Sequence, residues 1–423
     1  MVDERIDMMG RVVVENGVIK EVAPHDRRTP AHVDAVIDGK GLTLLPAFID
    51  LHAHFRDPGF PDKETLESAS LAARAGGYAT VVCMANTKPP LDTFEAAHSL
   101  RARSAALGLI DLHPAVALTK GMEGKELSDI KRGLMKQEKR ALHPPIFDPP
   151  LIFSEDGKDV FDDALFLEAC SAAAQFGVPV SCHCDNGGVE AEKAKLFGEP
   201  REVWSRIEEN NATERALRLG SQAGCALHIA HVSTKEAVAA LRDAKLKNPR
   251  VTCEATPHHI ALSEETASLL GKSSFGRVNP PLRTEEDRLA VIVGIASGAI
   301  DAIATDHAPH TAQDKANGAP GFSGLETAFA VCYTELARSG VVSLQKLSSL
   351  MSASPARILG LKDRGAIQEG LRADLVVVDT EAEWIVDPSA FKSRGKNSAF
   401  AGRKVFGKTL ATMRAAAARV LVV

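Results

Sequence analysis

The stretch LLPAFIDLHAHFR (residues 44–56) is an apolar run that ends in two histidines. The run predicts a buried strand over residues 45–52, and residues i and i+2 of a strand point to the same face. His52 and His54 would therefore present two imidazoles to one side, which is half of a metal site. An isolated His-x-His motif is about as often a pair of hydrogen-bonded histidines beside a loop as it is part of a metal site. Its interpretation therefore depends on the rest of the chain.

Further apolar runs follow, separated by helical stretches rich in Ala, Leu, Glu and Arg. Eight such strands alternating with helices predict an α/β fold and favour a (β/α)8 TIM-like barrel over an open doubly wound sheet. In a barrel of this kind the site lies at the rim formed by the carboxyl ends of the strands. The predicted strands are residues 45–52, 79–86, 112–119, 150–155, 179–185, 226–232, 251–258 and 299–306. The predicted helices include residues 63–75, 94–106, 162–175, 212–223, 234–246 and 285–296.

The two ends of the chain carry a different pattern. Residues 11–20 predict a β-hairpin with an Asn16-Gly17 turn, because both positions of such a turn need positive φ. Residues 373–379 and 419–423 predict two further strands, and the proline-rich segment 136–150 predicts an irregular loop.

A chain of 423 residues has room for one large domain and a smaller one. We therefore predict a small composite β-sandwich domain from residues 1–43 and 364–423. The barrel would take residues 44–363.

Composition and charge exclude several classes of protein. The hydrophobic content of 45%, the charged content of 25% and the net charge of −5 are ordinary for a globular protein and predict neither nucleic acid nor an anionic membrane as partner. The N-terminus lacks the apolar segment of a signal peptide, and the longest apolar stretch, residues 289–304, is too short to span a bilayer. Seven cysteines, mostly inside apolar runs, predict buried free thiols and a cytoplasmic location. Cys182 and Cys184 would face away from His183 and into the core.

Other predicted strands also end in histidine or aspartate. On a regular strand only one of His228 and His231 can face inward, and His231 is nearer the rim; His258 and His259 face opposite ways, so at most one enters the site. Taken singly, each such residue could be a core histidine or a helix cap, but their joint occurrence at one barrel mouth suits Zn²⁺ or a similar ion. The further candidates are Asp156, His183, His231, His258 or His259, and Asp306.

Two divalent ions in such a set would generate a nucleophile at neutral pH and polarise a carbonyl group. A carboxylate beside them can carry a proton to a leaving nitrogen. The residues therefore favour hydrolysis of an amide-like bond in a small-molecule substrate.

These motifs resemble those of bacterial type I dihydroorotases in the amidohydrolase superfamily, and they span nearly the whole predicted barrel. The most specific is TDHAPH followed by a lysine within TDHAPHTAQDK (residues 305–315). The other matching stretches are DLHAHFRDPG (50–59), MANTKP (84–89), FSEDG (153–157), HIAHVST (228–234), TPHH (256–259), NPPLR (279–283) and GLET (324–327).

The resemblance implies a role for each matched residue. His52, His54 and Asp306 would bind one zinc ion, His183 and His231 a second, and Asp156 would bridge them where some relatives use a carboxylated lysine. One or two zinc ions per subunit are implied, with a binuclear centre favoured. Asp306 would also be the general acid and base. Arg56, Asn86 and His310 would bind the substrate carboxylate, and Asn279, Pro320, Gly321 and Phe322 would contact the pyrimidine ring.

The implied reaction is the zinc-dependent, reversible cyclisation of N-carbamoyl-L-aspartate to L-dihydroorotate in pyrimidine biosynthesis. One alternative is another cyclic amidohydrolase: a hydantoinase, a dihydropyrimidinase or an allantoinase. The lack of a lysine before Asp156 and the set Arg56, Asn86 and His310 count against it. The other is a non-catalytic homologue that supports aspartate transcarbamoylase, but such proteins lose metal ligands. Family members often form homodimers or associate with aspartate transcarbamoylase. A second copy of this chain and aspartate transcarbamoylase are therefore the expected partners.

Overall fold

The computed structural model describes residues 1–24, 34–128, 130, 151–184, 198, 201–269, 276–415 and 420–422. The loop predicted over 136–150 lies outside these residues. Among the residues that the structure describes, no helix combines the length and the apolar character needed to cross a membrane.

The strands of the described residues, in chain order, are β1 (Gly10–Glu15), β2 (Val18–Pro24), β3 (Ala35–Ile37), β4 (Thr43–Pro46), β5 (Phe48–Ala53), β6 (Tyr78–Cys83), β7 (Asp111–Pro114), β8 (Phe153–Ser154), β9 (Val180–Cys182), β10 (Leu227–Ile229), β11 (Val251–Ala255), β12 (Ala302–Ile303), β13 (Leu375–Ile385), β14 (Lys404–Met413) and β15 (Val420–Val422). 

The α-helices, numbered in the same way, are α1 (Leu66–Gly76), α2 (Phe94–Leu107), α3 (Asp163–Phe176), α4 (Arg201–Ala223), α5 (Lys235–Lys247), α6 (Pro257–Ala261), α7 (Glu264–Leu269), α8 (Glu285–Ser297), α9 (Ala312–Ala316), α10 (Ala328–Cys332), α11 (Leu344–Ser348) and α12 (Ser354–Ile358). Short 3-10 turns occupy Lys120–Met122 and Pro388–Ala390, and π-helical turns occupy Tyr333–Ala337 and Ser349–Ala353.

The long helices begin and end at residues suited to those positions. The side chains of Thr65, Thr93 and Thr284 each accept a hydrogen bond from a backbone N–H of the first turn, which would otherwise lack a partner. Helices α1 and α2 end at Gly77 and Gly108, which adopt the left-handed conformation that ends a helix at little cost for glycine.

Eight parallel strands form the larger part of the fold. Strands β5 to β7 make one parallel sheet and β8 to β12 another, each with neighbours in chain order. Isolated parallel bridges join the facing edges, Val116 to Phe153 and Ala53 to His307. Every residue of β5 and β6 is buried, as expected for parallel strands covered on both faces. The arrangement is a TIM-barrel-like α/β fold.

The strand predicted over residues 45–52 is two strands in the structure. Thr43–Pro46 pairs antiparallel with β13, and Phe48–Ala53 pairs in parallel with β6. The change of sheet falls at Pro46, whose missing N–H cannot continue a ladder. The predicted strand over 251–258 likewise ends at Ala255, and helix α6 follows after the cap at Thr256.

Residues from both ends of the chain build two small sheets. One has the order β2-β1-β15-β3, and the other has the order β14-β13-β4. The predicted hairpin is confirmed: β1 pairs with β2, and Asn16 and Gly17 have φ of 52° and 77°. Both sheets contribute apolar side chains to one shared core, which makes the unit a β-sandwich. This core contains Val12, Val14, Ile19, Leu44, Ile367, Ala373, Leu375 and Val377.

All seven cysteines are free and buried, as predicted. Cys182 and Cys184 lie in the main apolar core, so their predicted packing away from His183 is confirmed.

A buried ion cluster lies where the sandwich meets the barrel. The Arg364 guanidinium donates to the Asp111 carboxylate at 2.6 Å and to the Thr80 hydroxyl at 2.9 Å, near the amino ends of two barrel strands. Burial opposes ionisation of Asp111, but the side chains of His113 and Arg364 outweigh it and hold the pKa of its carboxyl below the ordinary value. This cation therefore compensates a carboxylate that has little access to water.

We expect Arg364→Met to lower the free energy of unfolding by about 3 kcal/mol, because it removes the nearer cation of the largely buried Asp111 carboxylate and leaves only Arg372 Nη1, at 3.8 Å. Urea unfolding followed by circular dichroism measures the change. The matched control is Arg357→Met, whose exposed guanidinium pairs with Glu4 at 2.8 Å. A surface pair of this kind contributes about 1 kcal/mol or less. Equal losses in the two variants would contradict the prediction.

Candidate metal centre

The six predicted metal ligands all lie at or just beyond the carboxyl ends of barrel strands, and all are buried. Parallel strands of a barrel bring these ends to one rim. The structure therefore brings together the whole set that the sequence predicted: His52, His54, Asp156, His183, His231 and Asp306.

The Asp156 carboxylate is at the centre of this set. Its Oδ1 atom lies 3.1 Å from His52 Nε2, 3.1 Å from His183 Nδ1 and 3.8 Å from His231 Nε2. Its Oδ2 atom lies 3.5 Å from His54 Nε2. One carboxylate thus contacts all four histidines, which is the position of a bridging ligand.

Asp306 completes a second group together with His52 and His54. Its Oδ1 atom lies 3.1 Å from His54 Nε2 and 3.7 Å from His52 Nε2. His183 Nδ1 and His231 Nε2 are 2.7 Å apart. The ligand atoms form two sets, and within each set all atoms lie within 4.8 Å of one another. One set is His52, Asp156 and His231, and the other is His52, His54 and Asp306.

These residues fit a divalent metal. His52 Nδ1 faces Glu254, whose carboxylate can only accept when ionised, so Nδ1 carries a hydrogen and a bound cation would take the place of any proton on Nε2. Within the described part of the chain this buried Nε2 atom has no hydrogen-bond partner. Ligands of one tetrahedral zinc ion lie about 3.4 Å apart for bonds of about 2.1 Å, close to the spacing of these atoms. A cation between them would relieve the repulsion of lone pairs and carboxylates.

Electrostatics favour positive charge at the same place. Burial opposes ionisation of Asp156 and Asp306, but neighbouring imidazoles outweigh it and hold the pKa of both carboxyls below the ordinary value. Burial also opposes the charged form of His52, yet the carboxylates around it raise its pKa well above the ordinary value. The cluster is therefore a pocket of negative potential that stabilises a cation.

Backbone conformation at the rim explains how so many side chains converge. Arg56, His231 and Asp306 have φ of 58°, 35° and 46°, values that cost energy for residues other than glycine and that occur often at functional sites. The prediction that only one of His228 and His231 faces inward is wrong, because β10 ends at Ile229 and its alternation does not extend to His231. His228 Nε2 reaches Glu254 behind His52, and His231 Nε2 reaches His183 and Asp156 in the cluster itself.

His258 and His259 lie on a short helix and not on a strand, so their rings are neighbours at 4.5 Å between centroids. His259 is held by Thr256 Oγ1 at 2.8 Å and by the carbonyl of Pro280 at 3.1 Å. The His258 ring lies 5.2 Å from the Phe322 ring. Burial, followed by His259, lowers the pKa of His258 well below the ordinary value. His259 is therefore a structural residue.

Sequence reasoning missed Glu254. Its carboxylate lies 3.2 Å from His52 Nδ1 and 3.0 Å from His228 Nε2, and His228 Nδ1 lies 2.9 Å from Thr252 Oγ1. A carboxylate behind a metal-binding histidine fixes its tautomer and raises its basicity. The sequence did contain a sign of this role. Glu254 stands inside an apolar strand that was predicted to be buried on both faces, where a charge without a partner is costly.

A cationic group lies beside the cluster. Arg56 Nη2 is 3.4 Å from His310 Nε2, and Arg56 Nε donates to the carbonyl of Pro309 at 3.4 Å. Lys63 Nζ is 3.5 Å from His310 Nδ1, a cation that sequence reasoning also missed. Burial, with the charges of Arg56 and Lys63, lowers the pKa of His310 to about 3. His310 is thus a neutral imidazole between two cations.

The remaining predicted residues are placed around the same mouth. Asn86 Oδ1 lies 3.0 Å from His54 Nδ1, and Asn86 Nδ2 lies 3.3 Å from Asp156 Oδ2, so this amide orients a ligand of the cluster. The Asn279 amide nitrogen lies 3.0 Å from His183 Nε2. The carbonyl of Pro320 accepts from His310 Nε2 at 2.8 Å, and Gly321 and Phe322 follow it.

Two lysines near the site have other partners. Lys158 Nζ donates to the carbonyl of Met122 at 2.8 Å. Its amine is therefore engaged away from the histidine and aspartate cluster. The buried Lys315, the last residue of the TDHAPHTAQDK motif, donates to the carbonyls of Ala319 and Gly321 at 2.8 and 2.7 Å. It therefore holds the turn before Phe322.

Comparison with known proteins agrees with this geometry. Residues 43–416 match the model of the amidohydrolase family. The chain is 39% identical to a dihydroorotase of Clostridium botulinum over 98% of this chain and 96% of that protein. It is 37% identical to a dihydroorotase of Aquifex aeolicus over 95% of this chain and 93% of that protein.

Solved structures share the fold at lower sequence identity. An L-hydantoinase (dihydropyrimidinase) from Arthrobacter aurescens has a TM-score of 0.85 at 24% identity, covering 98% of this chain and 93% of that one. A dihydropyrimidinase from Brevibacillus agri has a TM-score of 0.81 at 21% identity, covering 99% and 92%. At these identities the likeness concerns the fold alone.

We expect Glu254→Gln to weaken binding of a divalent metal about 10- to 100-fold, because a neutral amide fixes and polarises His52 less strongly. Competition with a chromogenic chelator measures the affinity. Thr252→Val, at the far end of the same chain of hydrogen bonds, is the graded control and should weaken binding less. An unchanged affinity in Glu254→Gln would remove Glu254 from the metal centre.

Proposed function

The chain belongs to the amidohydrolase family, and we propose that it is a metal-dependent dihydroorotase. The resemblance of its motifs to those of dihydroorotases is confirmed by relatives of that name at 37–39% identity over nearly the whole chain. The reaction is the reversible cyclisation of N-carbamoyl-L-aspartate to L-dihydroorotate, a step of pyrimidine biosynthesis.

One observation carries the proposal beyond the family. A cluster of four histidines and two aspartates stands beside the Arg56 guanidinium and the neutral imidazole of His310. The first group suits hydrolysis of an amide bond, and the second suits a carboxylate on the same small molecule. L-Dihydroorotate is a cyclic amide that carries a carboxylate.

We further propose that the cofactor is zinc and that the centre is binuclear. His52, His54 and Asp306 would hold one ion, His183 and His231 the other, and Asp156 both. When bound, such ions supply a Lewis acid for the amide carbonyl and lower the pKa of water. The contacts of Asp156 with all four histidines support a shared ligand.

The chain's own residues move the proton and hold the substrate. In the hydrolytic direction Asp306 accepts a proton from the attacking water oxygen and donates it to the ring nitrogen as the carbon–nitrogen bond breaks. Arg56 pairs with the substrate carboxylate through two parallel N–H groups, and His310 and Asn86 complete that subsite. Asn279 and the turn Pro320, Gly321 and Phe322 contact the ring. Asp306, His310 and Phe322 are buried, which limits the access of bulk water to the reacting bond.

A second candidate is hydrolysis of a neutral cyclic amide, as the names of the hydantoinase and dihydropyrimidinase structures indicate for those proteins. Arg56 argues against it, because a neutral ring would offer no anionic group to this half-buried guanidinium.

Several broader features complete the proposal. The eight parallel strands would close into a barrel of residues 44–363, with residues 1–43 and 364–423 forming the sandwich. A homodimer or a complex with aspartate transcarbamoylase in the cytoplasm is the expected setting.

We expect the zinc-loaded protein to hydrolyse L-dihydroorotate, followed as loss of ultraviolet absorbance, and a chelated sample to be inactive. Hydantoin, dihydrouracil and allantoin are the comparison substrates. Turnover of these three without turnover of L-dihydroorotate would favour the second candidate. Zinc binding with no turnover of any of the four would contradict both.

We expect Asp306→Asn to abolish turnover, because an amide cannot accept the proton, while the circular dichroism spectrum stays that of the parent. Asp243→Asn is the control, since Asp243 is an exposed carboxylate of α5 that pairs with Arg242 at 3.1 Å. It should retain most of the activity. Full activity in Asp306→Asn would exclude the proposed proton transfer.

A further inference from the structure

A short segment of the second domain reaches the substrate side of the barrel. Residues 392–397, here named the clasp, lie between the turn Pro388–Ala390 and strand β14. Their hydrogen bonds go to the β12 loop, defined as residues 304–327, and to Glu64. The β12 loop carries Asp306, His310 and the turn Pro320–Phe322.

The clasp binds the backbone of His310 directly. Asn397 Nδ2 donates to the carbonyl of His310 at 2.7 Å, and the Asn397 side chain is buried. The N–H of Ser323 donates to the carbonyl of Asn397 at 3.1 Å. One residue therefore fixes both ends of the segment between His310 and Phe322.

A glycine allows the clasp to approach this closely. A Cβ atom on Gly395 would lie 2.7 Å from the Cβ atom of Pro309 and 2.7 Å from Ser323 Oγ. Ser323 Oγ donates to the carbonyl of Gly395 at 2.7 Å. Pro309 supplies the carbonyl to which Arg56 Nε donates. Gly395 thus packs behind the group that orients the Arg56 guanidinium.

A third contact ties the clasp to the histidine beside Asp306. The Glu64 carboxylate accepts from the N–H of Arg394 at 3.1 Å and from the hydroxyl of Ser393. Its Oε2 atom also lies 3.5 Å from His307 Nε2, and His307 Nδ1 accepts from the N–H of Gly324 at 3.1 Å. Glu64 is fully buried, so this carboxylate links the two domains without contact with water.

We infer that Asn397 is a positioning residue for the substrate carboxylate, through which the clasp aligns His310 and Arg56. This inference rests on the proposed function, because it assigns the carboxylate to Arg56 and His310. No clasp residue lies in either set of ligand atoms found among the described residues, and the Asn397 contact is made at His310 and not at Asp306. Loss of the Asn397 contact should therefore affect substrate binding more than the chemical step.

The test compares Asn397→Leu with Thr412→Val by initial rates over a range of L-dihydroorotate concentrations, with metal content measured on each sample. Leucine keeps the volume of asparagine and removes the donor. Thr412 is the matched control, since its hydroxyl also crosses between the domains to a backbone carbonyl, that of Arg74, at 2.6 Å. It does not contact the β12 loop.

We expect Asn397→Leu to raise KM about tenfold while kcat stays within about twofold, as for loss of one buried hydrogen bond that positions a binding group. Thr412→Val should leave KM unchanged. Gly395→Ala provides a second variant if Asn397→Leu fails to fold, and its added methyl group should raise KM by displacing Pro309.

Three results would overturn the inference: an unchanged KM in Asn397→Leu, an equal rise in Thr412→Val, or a fall in kcat with loss of metal. If Asn397→Leu does not fold, an unchanged KM in Gly395→Ala overturns it. Absence of turnover by the parent protein is a separate result, which overturns the proposed function and this assignment with it.

Discussion

The site depends on one constraint: the Asp156 carboxylate is buried among imidazoles, and its charge must be compensated there. Taking a carboxylate out of water is costly unless opposite charge and hydrogen bonds replace the solvent. The strand ends supply that compensation in four directions, with contacts from His52, His54, His183 and His231. The surrounding structure orients these imidazoles, through Glu254 behind His52 and through Asn86 beside His54.

The ligands were predictable from the sequence because each follows a strand. An apolar run that ends in His or Asp has a clear meaning once eight runs alternate with helices, and the structure brings together all six predicted ligands. The errors lie where the chain leaves regular conformation. The rule that successive strand residues point to opposite faces failed at His231, where φ is 35°, because the strand has already ended there. It also failed at His258, which lies on a helix.

Residues without a strand end to mark them were harder to predict. Glu254 and Lys63 act through contacts that join segments distant in sequence, and a single chain gives no spacing from which to infer them. Pro46 could have indicated the change of sheet between β4 and β5, since proline interrupts a ladder. The apolar run across it masked that signal. The long-range pairing of β1 with β15 had no local signature at all.

That pairing has a consequence for the order in which the protein can be completed. Val12, Val13 and Val14 pair with residues 420–422, so the first strand, already paired with β2 on one edge, gains its other neighbour only from the last residues of the chain. All six predicted metal ligands precede residue 310, whereas the clasp and the final strand come about one hundred residues later. During synthesis from the amino end, the candidate metal centre can therefore assemble before its substrate side is braced. A nascent chain would acquire the ability to hold a cation before it acquires selectivity for an anionic ring.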